Sequence, residues 1–362
     1  MDALERYSRQ ISLKEFGEDG QKKLGAAKVF IAGAGGLGCP VLLYLAAAGV
    51  GTLGVADDDV VSLNNLHRQV LFSTDDIGKL KVEAASEKVR LLNPEVKFVS
   101  FAEKLTNQNA LEILKDFDIV IDGTDNFPSK YMINDACVLL DKPLIYGSVS
   151  KFEGQVAVFN LPDAEGKKCN YRDLFPQPPH ERIFSCAEEG VLGTTTGIIG
   201  SMQANEAIKI ITGIGKPLIN QLMIFNALTN ESFILGISKN QKDYQLPADE
   251  NEFKKTDYDW LCSVNSNVEE IDQFRFNELL NEKEVTFIDV RELDEKPDVD
   301  FDHERIPLGE LRDKLKDIST KEIVCFCQTG KRSVEAARIL SEKFGESKKI
   351  YSLKGGVLSL PG

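Results

Sequence analysis

The sequence predicts an α/β protein: a Rossmann-like, doubly wound and mainly parallel sheet with added antiparallel strands, followed by a smaller α/β domain. Three observations predict it. An apolar run, Val29 to Ala32, feeds into Gly33-x-Gly35-x-x-Gly38 and then an apolar helical stretch, Val41 to Ala48. Strand-like and helix-like segments alternate from residue 28 to about 150, the pattern of a parallel sheet wound by helices. A polar interval at 238–265, rich in Lys, Asn, Gln, Asp and Glu, separates this series from a second alternating one.

In chain order, residues 1–27 read as an amphipathic helical lead-in. Strand 28–32, helix 39–49 and strand 52–56 follow, then a polar loop 57–68, helix 80–92, strand 96–101, helix 107–115, strand 118–122, helix 127–140 and strand 143–147. Residues 152–160 alternate like a strand with one wet face, and 162–190 is polar and proline-rich with no period. A loop that long is functional or mobile as a rule. A helix over 197–211 and strands 221–227 and 231–236 close a first domain, 1–237. The second, 266–362, carries helix 273–281, strand 285–289, helix 308–316, strand 322–327, helix 331–344 and strand 348–352.

The chain has 362 residues, 42% of them hydrophobic, enough for two domains with a sizeable core. Its net charge of −14 argues against general affinity for nucleic acid or anionic membranes. The N-terminus has no basic start before an apolar core, and no apolar run approaches the roughly 20 residues of a membrane helix, so a cytoplasmic location is expected. Seven cysteines at irregular spacing suit free thiols in a reducing compartment.

The glycine turn lets backbone N–H groups and the positive end of a helix approach phosphate. Asp57 follows a strand nineteen residues past Gly38, where an acidic side chain grips ribose hydroxyls. Those two features alone fit an NAD-dependent oxidoreductase. Arg68 and Lys81 place fixed positive charge just after the second strand, and Asp122-Gly-Thr-Asp125-Asn126 ends another strand with a carboxylate at the sheet's carboxyl edge. Cations beside a carboxylate suit ATP with Mg²⁺, and hydride transfer needs neither.

Arg6-Tyr-Ser-Arg9-Gln-Ile, Gly33 to Cys39, Asn64-Asn-Leu-His-Arg-Gln69, Asp122 to Asn126 and Glu153-Gly-Gln155, in this order, resemble the MoeB/ThiF family of E1-like adenylyltransferases over roughly residues 1–237. The resemblance implies a homodimeric enzyme that uses ATP to adenylate the C-terminal glycine of a ubiquitin-like sulfur carrier ending in Gly-Gly. It implies Gly33, Gly35, Gly36, Gly38, Asp57, Asn64, Asn65, Leu66, His67, Arg68, Gln69, Lys81, Asp125 and Asn126 around ATP, with Asp125 on the metal and Arg9 reaching across the dimer. It also implies that Cys186 is a thiol on a crossover loop; a cysteine at a helix N-terminus is favoured as thiolate. Relatives usually carry a structural zinc on two Cys-x-x-Cys pairs, whereas here the first place reads Cys169-Asn-Tyr-Arg-Asp173 and the second, near 236–242, has no cysteine, so zinc is expected to be absent.

In the second domain, Ile323 to Ser333 reads as a strand, a loop headed by Cys327 and a helix. The loop Cys327, Gln328, Thr329, Gly330, Lys331 and Arg332 can wrap N–H groups around a thiolate or persulfide, with Lys331 and Arg332 adding positive field. A cysteine phosphatase loop would place arginine one residue later, so the cradle suits sulfur rather than phosphate. With Phe287 to Glu292, Ile306-Pro-Leu308 and Leu353-Lys-Gly-Gly356, the stretch 266–362 resembles a rhodanese domain. Together the resemblances imply adenylation of the carrier, then attack by a Cys327 persulfide charged by a donor such as a cysteine desulfurase, giving a thiocarboxylate with Cys186 as releasing thiol. Relatives of this domain order serve molybdopterin, thiamin or tRNA thiolation. The alternatives are an NAD-dependent oxidoreductase with an accessory sulfur domain, and a non-catalytic scaffold that binds a ubiquitin-like protein.

Overall fold

The computed structural model describes residues 3–177, 190–240, 244–258, 268–282, 284–293, 295–314 and 318–360. The chain forms two compact units, the first running to Tyr258 and the second lying within Asp259–Gly362.

The first unit is built on eight strands, β1 Lys28–Ala32, β2 Thr52–Ala56, β3 Lys97–Phe101, β4 Ile119–Asp122, β5 Leu144–Ser150, β6 Glu153–Phe159, β7 Gln221–Asn226 and β8 Ser232–Gly236. They lie in the order β3-β2-β1-β4-β5-β6-β7-β8. Pairing is parallel from β3 to β5 and antiparallel from β5 to β8. β1 is wholly apolar from Val29 onward and buried, because helices cover both faces of a doubly wound sheet. Helix Gly38–Ala48 packs on helix Gly193–Thr212 closely enough that a Cβ at Gly200 would come 2.4 Å from Pro40.

Strand order reverses between β1 and β4, with Ala32 beside both Ala56 and Asp122. Such a switch point opens a crevice beyond the strands' carboxyl ends, where ligands bind. Gly33, Asp57 and Gly123 all follow directly from strands that end there.

Two expectations change in this unit. The stretch expected as an unstructured loop contains a short helix, Tyr171–Leu174, capped by Asn170 and held by the buried Arg172–Asp135 pair at 2.7 Å. Part of the expected linker belongs to the first unit. Helix Glu250–Lys255 buries Phe253, Asn107 donates to the carbonyls of Lys254 and Thr256, and Tyr258 donates to Asp135 at 2.9 Å. Two aromatic anchors outweigh a polar composition when each finds a partner.

The second unit is a five-stranded, all-parallel sheet of β9 Glu269–Ile271, β10 Val285–Asp289, β11 Glu304–Arg305, β12 Glu322–Phe326 and β13 Lys349–Leu353, in the order β11-β10-β12-β13-β9. β9 and β11 are three and two residues long, too short to carry a readable period. The expected helix 308–316 is a 3₁₀ turn at Leu308–Glu310 followed by helix Leu311–Lys314. Among the described residues, no helix is long and apolar enough to cross a membrane.

Candidate functional site

The crevice begins at the glycine turn. Gly33 leaves β1 with φ of +92°, which a side chain rarely adopts. A Cβ at Gly38 would lie 2.0 Å from the Gly33 carbonyl oxygen, so the tightness of the turn excludes any side chain there. Gly36 rests on Thr196, and Gly35 has only Gln69 Nε2 near its Cβ position, at 3.9 Å, which leaves its backbone approachable.

Asp57 holds the turn: its Oδ2 accepts from Ala34 N at 2.8 Å and its Oδ1 from Asp59 N at 2.9 Å. Each oxygen keeps a lone pair for a hydroxyl. Burial pushes its carboxyl above the usual range, although Lys81 and the two N–H groups pull the other way. Lys81 opens helix Lys81–Leu92 and is only 3% exposed, its ammonium 2.6 Å from Asp59 and 3.9 Å from Asp57. It is therefore not a free cation. Asp59, which the sequence pattern did not single out, offsets its charge until an anion competes.

Asn64, Asn65, His67 and Arg68 lie on and just after a 3₁₀ turn, Leu63–Asn65, in the loop beyond β2. Asn64 Oδ1 accepts from Ser62 and Asn65, while Arg68 donates to the Asn64 carbonyl at 3.1 Å and meets His67 Nε2 at 2.8 Å. Arg68 has no carboxylate partner among the described residues, so its charge stays available. Leu66 packs on the core, and Gln69 is buried with Oε1 unpartnered. At the end of β4, Asp122 is locked by Lys130 at 2.9 Å and by Thr124, whereas Asp125 is exposed with no partner among the described residues. The side chain of Asn126 acts locally, capping helix Phe127–Leu139 by accepting from Ser129 N at 2.9 Å. Arg9 lies exposed on helix Ser8–Ile11, and Cys186 lies outside the described residues. Lys130 gave no signal in the sequence because a lysine in an amphipathic helix ordinarily reads as solvated.

Cys39 and Cys137 are buried core thiols; burial drives Cys39 up to about 12 and Cys137 higher still. Cys169 is buried, its thiol donating to the Ile237 carbonyl at 3.5 Å. Beside it Tyr244 accepts from Asn170 at 2.9 Å and donates to Asp173 at 2.8 Å, and Asn240 N donates to Asp173 at 2.6 Å. Among the described residues, one thiol, one carboxylate, a phenol and amides do not make a tetrahedral thiolate set, so this cluster does not fit a structural zinc.

In the second unit, Cys327 follows β12 and is wholly buried, as is Cys325. Ser333 N donates to Cys327 Sγ at 3.4 Å from the first turn of helix Lys331–Phe344, and Gly330 takes φ of +93° to close the loop. Arg332 corrects an expectation. Its guanidinium forks onto Glu295 at 2.5 and 2.6 Å, so much of its field at the sulfur is offset. Gln328 is likewise drawn aside, donating to the Lys296 carbonyl at 2.9 Å, and the two contacts strap 295–296 across the loop. Arg332 holds Glu295 at about 2, well below its ordinary 4.5. The pair's contribution is therefore complete above Glu295's ordinary value and is lost as pH falls through about 2. Far-ultraviolet titration should show Glu295→Gln less stable than the parent at pH 7, the two converging near pH 2.

Fold and site define a two-part protein, a doubly wound unit with a glycine turn at its switch point joined to a cysteine-loop unit. The chain belongs to the ThiF family, whose model matches residues 7–246, and a rhodanese-like domain model matches 274–359. It is 44% identical over 266 residues to the sulfur carrier protein adenylyltransferase of Thermus thermophilus, covering 73% of this chain and 98% of that one. It is 38% identical over 371 residues to the probable adenylyltransferase/sulfurtransferase MoeZ of Mycobacterium tuberculosis, covering 98% and 92%. Among solved structures it resembles PaaA, at 28% identity and TM-score 0.55 over 66% of this chain and 74% of that one. It shares its fold with Escherichia coli MccB solved with ATP, at 24% identity and TM-score 0.58 over 66% and 73%.

Proposed function

We propose that this chain is an adenylyltransferase and sulfurtransferase acting on a ubiquitin-like sulfur carrier. The observation that carries the reading is one chain holding both a glycine turn at the β1/β4 switch point, with Asp57 bonded to it and Lys81 beside Asp57, and a loop headed by a buried Cys327 whose Sγ accepts from Ser333 N. A carboxylate attacking a phosphate is a meeting of anions, so positioning and positive charge supply most of the catalysis. The carrier's terminal carboxylate attacks the α-phosphorus of ATP and displaces pyrophosphate. Arg68 and Lys81 offset the charge, Asp57 grips the ribose and Asp125 holds Mg²⁺, which supplies charge neutralisation when bound. Arg9 of a second copy in a homodimer adds a further cation.

The terminal sulfur of a Cys327 persulfide, loaded by a donor such as a cysteine desulfurase, then attacks the acyl carbon and AMP leaves. A second thiolate, assigned to Cys186, attacks the Cys327 sulfur of the resulting acyl disulfide. The thiocarboxylate departs, a Cys186–Cys327 disulfide forms, and a thiol reductant resets it. The location is cytoplasmic, where thiols stay reduced. The nicotinamide and scaffold readings lose ground because the relatives bear adenylyltransferase names. Pyrophosphate release that depends on a ubiquitin-fold protein ending in Gly-Gly is the expected result; NAD turnover without ATP use would overturn the reading.

The protein works without zinc in this account, the polar clasp around Tyr244 doing the bridging. Metal analysis of purified protein should find no stoichiometric zinc, and chelators should leave Tm unchanged. Tyr244→Phe, which strips two hydrogen bonds, should lower Tm by roughly 3–6 °C. Stoichiometric zinc lost together with activity on chelation would contradict this.

A further inference from the structure

Ser352 is a polar residue in the buried part of β13, where Ile350, Tyr351 and Leu353 are its neighbours, and it is wholly buried. A buried hydroxyl needs a partner to offset its desolvation. Its Oγ lies 2.9 Å from Ser333 Oγ, and Ser333 Oγ lies 3.7 Å from Cys327 Sγ. Ser333 also donates its hydroxyl proton to the Gly330 carbonyl at 2.9 Å. A hydroxyl has one proton, so with that proton on Gly330 it is Ser352 that donates across the Ser352–Ser333 contact.

This arrangement responds to charge on the sulfur. A neutral Cys327 can donate its S–H to Ser333 Oγ. An anionic sulfur cannot, and the Ser333 proton is then better placed turned from Gly330 toward sulfur. Ser333 Oγ keeps an incoming donor from Ser352 in both states, and a hydroxyl that accepts a hydrogen bond is a stronger donor.

We propose that Ser352 is a positioning residue for sulfur transfer. By donating to Ser333 Oγ it holds that hydroxyl as a donor toward the thiolate or persulfide of Cys327. The inference rests on the reading of Cys327 as the sulfur carrier and extends its anion support to a strand outside the loop. Among the described residues, the other charged or titratable groups around the loop are Arg332 with Glu295 and Glu292, the Asp289–Arg291–Arg305 cluster at the end of β10, His303 against Phe326, and the buried thiol of Cys325. Ser352 touches none of these through its hydroxyl, so its substitution leaves their pairing in place.

The experiment follows iodoacetamide labelling of Cys327 against pH in the full-length protein, resolved by peptide mass spectrometry. Ser352→Ala should move the labelling midpoint upward and slow labelling about three- to tenfold at pH 7, the size of the one neutral hydrogen bond that Ser352 makes to Ser333. Ser352→Thr, which keeps the hydroxyl, should follow the parent. In a Ser333→Ala background, Ser352→Ala should change nothing further, because its effect passes through Ser333. An unshifted Ser352→Ala profile, or an equal shift in the Ser333→Ala background, overturns the proposal. Labelling requires neither ATP nor carrier, and thiosulfate loading of parent Cys327 tests the sulfur-carrier reading by itself. Failure to form a persulfide would sink that reading while the labelling comparison still decides the role of Ser352.

Discussion

Asp125→Ala is expected to lower carrier-dependent ATP–pyrophosphate exchange by about 10²- to 10³-fold while leaving Tm within about 1 °C of the parent. The two halves of that expectation have separate physical sources. Asp125 is exposed and makes no hydrogen bond or ion pair among the described residues, so its removal costs the fold nothing that packing or pairing supplied. It stands at the carboxyl end of β4, one loop from the glycine turn, where the account needs a carboxylate to hold the metal. Its neighbour offers the contrast. Asp122 is buried and paired with Lys130, so Asp122→Ala would strand a buried ammonium and cost stability of roughly 3–5 kcal/mol before catalysis could be judged. Exchange close to the parental rate in Asp125→Ala would remove this residue from the metal site.

Cys327→Ala is expected to abolish thiocarboxylate formation, by at least about 10³-fold, and to leave exchange within roughly twofold of the parent. The persulfide forms on Cys327 and nowhere else in this account, and its loop belongs to the second unit, whereas the residues proposed around ATP belong to the first. The thiol is wholly buried among apolar side chains with the loop's donors, and alanine fits that space. The measurement is the mass of the carrier's C-terminal peptide together with the exchange rate of the same preparation. Undiminished thiocarboxylate would move the sulfur-carrying role to another cysteine.

Much of the crevice was legible because its signals are local. The run Val29 to Ala32, the glycine spacing and the position of Asp57 each fall within a few turns of chain, and the alternating period that places β1, β2 and β4 side by side is itself a local pattern. What escaped depends on contacts distant in sequence. Lys81 reads as a free cation until Asp59 is seen 2.6 Å away. Arg332 reads as field for the sulfur until Glu295, 37 residues earlier, takes it. Residues 250–258 read as linker on composition, yet Phe253 and Tyr258 tie them to the first unit through Asn107 and Asp135. Ser352 was not singled out, because its partner Ser333 lies on a different element.

The central claim is an order of events: activation at the β1/β4 crevice, then sulfur from Cys327. Intact mass spectrometry of a Gly-Gly-terminated ubiquitin-fold carrier, incubated with this protein, ATP, Mg²⁺ and a persulfide donor, tests it most directly. The account predicts an adenylate that gives way to a carrier with one oxygen replaced by sulfur, and an adenylate that persists when Cys327→Ala replaces the parent. A sulfur-bearing carrier formed without ATP, or no adenylate from either protein, would contradict it.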